Sequence, residues 1–146
     1  MKTSLADRRK GRAIALQALF EVDCTGHDST ETLGQLMDDS PLPEETATFI
    51  QELVLKVLEN KKDIDNMIQS FAPAWPLEQI AIVDRNILRL AIYEILFNVV
   101  PAKVAINEAV ELAKAFGSDS SAKFVNGVLG SVYAKLNKQE NLLERM

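Results

Sequence analysis

The stretch LEQIAIVDRNILRLAIYEILF, residues 77–97, decides the fold of this chain. Its apolar side chains recur at helical spacing and cover almost the whole circumference of a helix. They are Ile80, Val83, Ile87, Leu88, Leu90, Ile92, Ile95 and Leu96. A helix that is apolar all round is buried by its neighbours on most sides. The sequence therefore predicts that residues 77–97 form the longest unbroken helix and the core of the fold.

Further amphipathic segments lie on both sides of this helix, and none alternates as a half-buried strand does. Breaks at glycine, at proline and at clusters of Asp and Ser separate them. The predicted helices span residues 5–22, a short segment that ends near 37, 44–60, 64–71, 77–97, 104–116 and 121–136. We therefore predict an all-α fold of about seven helices. It forms a single domain over residues 1–146, whose ends, 1–4 and 137–146, fray.

The composition is that of an ordinary globular protein, with 47% apolar and 25% charged residues. No stretch approaches the roughly 20 apolar residues of a membrane span, so no membrane contact is expected. Cys24 is the only cysteine, which permits no internal disulfide and favours a reducing compartment. A cytoplasmic location is the simplest interpretation.

Residue types suited to catalysis or metal binding are scarce in this chain. His27 is the only histidine, and neither it nor Cys24 has partners at the spacing of a nucleophilic or zinc site. Gly127 and Gly130 lie within a predicted helix, without the preceding strand that a phosphate-binding loop requires. We expect no enzyme activity, no catalytic residue, no metal and no cofactor.

Two features of the predicted helices each have two explanations. Gly127 and Gly130 each cost a helix about 1 kcal/mol relative to Ala. This indicates either the close approach of another helix or the passage of a ligand over that surface. Arg85, Arg89 and Tyr93 recur at i, i+4 and i+8 along the central helix. They form either a polar seam of internal ion pairs or a partner-binding face.

The first twelve residues differ in charge from the rest of the chain. They contain five lysines and arginines and one aspartate, a formal charge of +4, whereas the whole chain carries −5. Arg8, Arg9 and Arg12 fall within an exposed arc of about 100° on the first helix, and Lys10 lies outside this arc. The cluster is either a docking site for a polyanion such as nucleic acid or a solvated N-terminus.

A second candidate site surrounds the start of the last predicted helix. Residues 117–124 combine a glycine, three serines, Asp119, Lys123 and Phe124. Free backbone N–H groups at a helix start accept phosphate, and an aromatic ring stacks on an unpaired base. The alternative is an ordinary helix cap with Phe124 in the core.

Several segments together resemble the NusB family of bacterial transcription antitermination factors. The resemblance covers essentially the whole chain and implies an all-helical fold of two packed bundles. The segments that carry it are RRKGR at 8–12, QALF at 17–20, DRNILRLAIYE at 84–94, VAINEAVELAK at 104–114, FG at 116–117 and KFVNGVL at 123–129.

The resemblance also implies a function. The family binds the single-stranded boxA element of ribosomal RNA leader transcripts together with NusE, a ribosomal small-subunit protein. The resulting antitermination complex with RNA polymerase supports processive elongation and ribosomal RNA maturation. The RNA-binding positions that the resemblance implies are Arg8, Arg9, Lys10, Arg12, Asp119 and Phe124. The positions that it implies for NusE are Phe20, Glu78 and Asp84.

One departure from the family concerns the basic end of the chain. Lys10 and Gly11 stand where the family often has arginine or alanine. Because glycine weakens a helix, we expect this end to become ordered only on binding. Homodimers occur in the family, and a homodimer of this chain would cover its RNA-facing surface.

Two other interpretations stay open. A helical protein-interaction adaptor would carry the basic end only as a solvated tail. Some ribosomal RNA cytosine methyltransferases have a NusB-like N-terminal domain, and this chain resembles such an RNA-binding domain without its catalytic part. Since the 146 residues contain no methyl-donor domain, a complete methyltransferase is not expected.

Overall fold

The computed structural model describes residues 4–144, and the side chains of residues 4–139. The described range contains seven α-helices and one 3-10 helix, Leu77–Gln79, and no strand, which confirms the predicted all-α fold. The helices are α1 (Leu5–Thr25), α2 (Ser29–Asp39), α3 (Glu44–Glu59), α4 (Lys61–Phe71), α5 (Ile82–Leu96), α6 (Ala102–Phe116) and α7 (Ser121–Glu144). The chain divides into two compact units, an N-terminal unit of residues 1–61 and a C-terminal unit of residues 62–146.

The N-terminal unit is a bundle of α1, α2 and α3, in which each helix packs against the other two. Local signals set the helix ends. The Ser4 hydroxyl accepts a hydrogen bond from the Asp7 N–H and caps α1, and the Asp28 carboxylate caps α2 in the same way. Gly26 ends α1 with a φ of 73°, a left-handed conformation that glycine adopts without strain. The bundle buries an apolar core that includes Ile14, Leu16, Leu19, Leu33, Ile50, Leu53, Val54 and Val57.

The C-terminal unit is built around α5, which packs against both α6 and α7. Ile87, Leu88 and Ile92 of α5 are fully buried, as the apolar circumference of this segment predicts. Small residues of α6, such as Ala105 and Ala109, face this core and let the helices approach closely. The prediction that α5 forms a core is confirmed.

The prediction that residues 77–97 form one unbroken helix is wrong. The chain forms a 3-10 turn, passes through extended backbone at Ile80 and Ala81, and begins α5 only at Ile82. The Gln69 side chain fixes the preceding loop, since its Oε1 accepts from the Leu77 N–H at 3.0 Å. Asp84 then lies in the first turn of α5, where a carboxylate stabilises the positive end of the helix. Apolar spacing alone does not reveal these two extended residues.

The last helix is longer than the sequence predicts. α7 continues to Glu144, past the predicted end at Leu136, and it is the longest helix of the described range. No glycine or proline follows Gly130, so nothing local ends the helix. Residues 137–144 of the end that was expected to fray are helical, whereas residues 1–3 and 145–146 lie outside the described residues. Neither α7 nor any other described helix is long and apolar enough to cross a membrane.

Candidate nucleic-acid interface

The N-terminal unit carries a group of cations on the first turns of α1, which we call the basic cluster: Arg8, Arg9, Lys10 and Arg12. Arg9 and Lys10 are exposed, and Arg8 is half-buried. Because α1 is capped at Ser4 and helical from Leu5, these side chains project from a formed helix.

The ring of Phe49, on α3, lies beneath two members of the basic cluster. The guanidinium carbon of Arg8 is 5.3 Å from the ring centre, and that of Arg12 is 5.8 Å from it. Both distances are within the range of a cation–π contact. Arg12 is only 2% exposed, so the expectation that it shares an exposed arc with Arg8 and Arg9 is wrong. The spacing of residues along α1 fixes the direction of Arg12 but takes no account of α3, whose Phe49 packs against it.

Gly11 explains how α3 comes so close to the basic cluster. A Cβ at this position would lie 3.0 Å from Cγ1 of Ile50 and 3.5 Å from Cγ2 of Thr46. Gly11 itself is buried inside a continuous helix. The expectation that Gly11 leaves this end unformed until binding is therefore wrong, because this glycine permits the contact between α1 and α3.

The second predicted site, at the start of α7, lies in the C-terminal unit. The Ser121 hydroxyl accepts from the Ser118 N–H at 2.9 Å and closes the turn between α6 and α7. Asp119 and Ser120 are exposed on this turn, and Phe124 is half-buried on the first turns of α7. Phe124 is therefore only partly withdrawn from solvent, unlike a core residue.

Phe124 lines a groove that the sequence did not reveal, with a volume of about 530 Å³. One wall is the loop that follows α4, and the other is the first turns of α7. Trp75, which stands in this loop, is 54% exposed. A tryptophan between prolines, in Pro73-Ala74-Trp75-Pro76, is the sequence feature that could have drawn attention to this loop. We call this feature the tryptophan groove; it is lined by Phe71, Ala72, Pro73, Ala74, Trp75, Ser120, Lys123, Phe124, Gly127 and Val128.

The two glycines of α7 are not explained by helix packing. Gly127 and Gly130 are exposed, and a Cβ at either position would meet no other atom within 4 Å. The interpretation that another helix approaches closely here is therefore wrong. Gly127 lines the tryptophan groove and Gly130 does not.

The three positions implied for NusE differ in exposure. Phe20, on α1, is 38% exposed, and Glu78, in the 3-10 turn, is exposed. Asp84 is only 7% exposed, and its Oδ1 has no hydrogen-bond partner among the described residues. Phe20 and Glu78 are therefore available to a partner on their own units, whereas Asp84 is withdrawn into the start of α5.

On the polar side of α5, Arg89 forms a buried ion pair. This guanidinium pairs with the Asp65 carboxylate, with Nε–Oδ1 at 2.7 Å and Nη2–Oδ2 at 3.1 Å. It also donates to Oδ1 of Asn86 at 2.9 Å. Tyr93, farther along, stacks on Phe97 with 4.8 Å between the ring centres. The interpretation of an internal ion pair is confirmed for Arg89, which is too buried to serve as a partner-binding residue.

Comparison with known proteins shows which family this chain resembles in sequence. The sequence model of the NusB family matches residues 9–134. Transcription antitermination protein NusB of Dehalococcoides mccartyi is 55% identical over 126 residues, which cover 86% of this chain and 88% of that protein.

Solved structures agree with the sequence relatives. T. maritima NusB is 35% identical and superposes with a TM-score of 0.81 over 90% of this chain and 92% of its own. A chain from the crystal structure of antitermination factors NusB and NusE in complex with dsRNA shares the fold, with a TM-score of 0.82 at 23% identity. That alignment covers 90% of this chain and 99% of the other. The chain described here belongs to the NusB family.

Proposed function

We propose that this protein is a transcription antitermination factor that binds single-stranded boxA RNA of ribosomal RNA leader transcripts together with NusE. The observation that carries the proposal is the family match over residues 9–134. The Dehalococcoides relative is named as a transcription antitermination protein, and another NusB has been crystallised with NusE and dsRNA. In this proposal the complex acts with RNA polymerase in the cytoplasm and supports processive elongation and ribosomal RNA maturation.

The basic cluster supplies the phosphate contacts in this proposal. Arg9 and Lys10 are exposed, and Arg8 is half-buried over the Phe49 ring, so three cations are presented to solvent. Contacts of this kind fix the RNA backbone without reading its sequence. Arg12 lies against the same ring and is almost fully buried. We therefore assign Arg12 a positioning role, in which it holds the helix and the ring together.

In this proposal, residues of the C-terminal unit recognise the bases of the RNA. The exposed Asp119 carboxylate is able to accept hydrogen bonds from base amino groups, and Phe124 presents a ring for stacking. Both interactions need bases that are not paired in a duplex. They require no covalent chemistry, so binding without catalysis is sufficient for the proposed function.

NusE is proposed to contact Phe20 and Glu78, which are exposed on their units. An exposed aromatic side chain is a typical interface anchor, and a rim carboxylate steers a basic partner. Asp84 takes part indirectly, because its carboxylate lies in the first turn of α5 and stabilises the helix start. A homodimer is the competing assembly, and sedimentation with and without RNA would show whether the two exclude each other.

RNA binding by fluorescence anisotropy tests the proposal. Labelled boxA RNA and a scrambled RNA are compared with and without NusE, and we expect tighter binding of boxA, increased further by NusE. Three phosphate contacts on a single strand predict that log affinity falls with log salt with a slope of about −2. A helical adaptor with a solvated basic tail would bind neither RNA selectively.

Charge variants sharpen this test. The double variant Arg9→Gln, Lys10→Gln is expected to make the slope of log affinity against log salt concentration less negative by about 1.4. The matched control is Lys62→Gln with Lys103→Gln, which removes the same charge from exposed positions outside the basic cluster. Equal weakening by the two double variants contradicts a dedicated role for the basic cluster.

A further inference from the structure

The tryptophan groove of the C-terminal unit has an exposed aromatic wall on a fixed backbone. The Trp75 N–H donates to the Ala72 carbonyl at 3.1 Å, and the Trp75 carbonyl accepts from Gln69 Nε2 at 2.8 Å. The indole therefore remains 54% exposed although its backbone is held on both sides. Because the backbone of Trp75 is held, only its side-chain rotamer has to be fixed when a flat apolar ligand binds.

Two further aromatic residues line the groove. Phe124 and Phe71 also line it, so three aromatic rings border a space of about 530 Å³. This volume is within the ordinary range of small-ligand sites, about 300–1,000 Å³. It is therefore large enough for a single nucleobase.

The charge around the groove favours an anionic ligand. Lys123 lines it, and no acidic residue does among the lining residues that the structure describes. The ammonium of Lys135 lies 5.4 Å from the ring centre of Phe71. Cations beside stacking rings, on a chain whose net charge is −5, are the arrangement used for single-stranded nucleic acid. An apolar peptide segment would gain nothing from either lysine.

Gly127 leaves the floor of the groove open. Glycine destabilises the interior of a helix by about 1 kcal/mol relative to Ala, and no neighbouring atom requires it here, since a Cβ would meet nothing within 4 Å. A side chain at this position would project from the helix surface that lines the groove. The open position leaves room for a ligand over this part of α7.

We infer that the tryptophan groove holds one unstacked base of single-stranded RNA, with Trp75 as a stacking residue opposite Phe124 and with Lys123 on the adjacent phosphate. This inference rests on the proposed function and extends it by a residue and a subsite. Stacking on Trp75 adds affinity with little dependence on base identity, because every base presents a π face.

Trp75 is the only tryptophan of the chain, so its fluorescence reports on the groove alone. The full chain is titrated with fluorescein-labelled single-stranded boxA RNA while tryptophan emission and fluorescein anisotropy are recorded together. We expect the emission to be quenched and to saturate at the same RNA concentration as the anisotropy. Trp75→Ala is expected to weaken binding about fivefold or more, and Trp75→Phe to retain most of the affinity.

Matched controls separate the groove from general effects of substitution. Phe97→Ala removes another aromatic residue of the same unit with nearly the same exposure, 53%, and should leave RNA affinity unchanged. Gly127→Leu should weaken binding because it fills the groove, whereas Gly130→Leu, on the same helix but outside the groove, should not. Circular dichroism checks that each variant is folded.

Three results overturn the inference. RNA binding by anisotropy with unchanged tryptophan emission and a wild-type affinity for Trp75→Ala excludes the subsite but leaves the proposed function intact. An emission change with NusE alone, to which RNA adds nothing, assigns the groove to a protein partner. Absence of RNA binding by anisotropy, with or without NusE, removes both the inference and the proposed function.

Discussion

The guanidinium carbon of Arg12 lies 5.8 Å from the centre of the Phe49 ring, and Arg12 is only 2% exposed. Arg8, one helical turn earlier, lies over the same ring at 5.3 Å. One aromatic side chain of α3 therefore orients two of the four residues of the basic cluster. A cation held over a ring keeps its charge but loses rotamer freedom before any RNA arrives.

Replacement of Phe49 tests this relationship. Phe49→Leu keeps an apolar side chain but removes the ring, and should lower the free energy of unfolding by about 1–2 kcal/mol. It should also weaken boxA binding, since Arg8 loses its support. Phe49→Tyr retains the ring and serves as the control in urea unfolding and anisotropy. Equal behaviour of the two variants would contradict a cation–π role for Phe49.

A side chain at Gly11 should disrupt the N-terminal unit. A Cβ there would lie 3.0 Å from Cγ1 of Ile50, which is fully buried, and 3.5 Å from Cγ2 of Thr46. Gly11→Val should therefore lower the free energy of unfolding by about 2 kcal/mol through overpacking. Urea unfolding followed by circular dichroism measures this loss.

Gly34 offers a matched control in the same unit. It lies in the middle of α2, and a Cβ there would meet nothing within 4 Å. Gly34→Val should change stability by less than about 0.5 kcal/mol, since valine and glycine differ little in helix propensity. If both variants lose equal stability, the close approach of α1 and α3 is not the reason for Gly11.

The ion pair of Arg89 and Asp65 should contribute more to the free energy of unfolding than an exposed pair does. Their side chains are 5% and 17% exposed, so removal of one charge leaves the other poorly solvated. Asp65→Asn should lower the free energy of unfolding by about 2–3 kcal/mol. Glu59→Gln breaks the exposed pair with Lys56 and should cost less than about 0.5 kcal/mol. Equal losses in urea unfolding would show that burial adds nothing to the Arg89 pair.

Features that depend on neighbours in the chain were predictable from the sequence. The buried face of α5, with Ile87, Leu88 and Ile92, follows from apolar spacing, and most helix ends follow from Ser4, Gly26 and the prolines. These signals act over one or two helical turns, the range that periodicity and capping describe.

Features that depend on contacts distant in sequence were not predictable. Phe49 of another helix packs against Arg12, and Ile50 packs against the neighbouring Gly11. The groove beside Phe124 exists because the loop at Trp75 lies next to the start of α7. Helical spacing assigns a residue to a face of its own helix, but it does not say which other element covers that face.

Phe20 provides a test of the proposed NusE contact. It is 38% exposed on α1, so its ring contributes less to the N-terminal core than a buried aromatic residue does. Phe20→Ala should lower NusE affinity about fivefold or more, the usual loss for an interface anchor. Isothermal titration calorimetry with NusE measures the change.

Leu55→Ala removes an apolar side chain that is 52% exposed on α3 and should leave NusE affinity unchanged. Binding of boxA RNA without NusE should be the same for wild type and both variants, since neither residue belongs to the basic cluster. Equal NusE affinity of Phe20→Ala and wild type would exclude Phe20 from the interface.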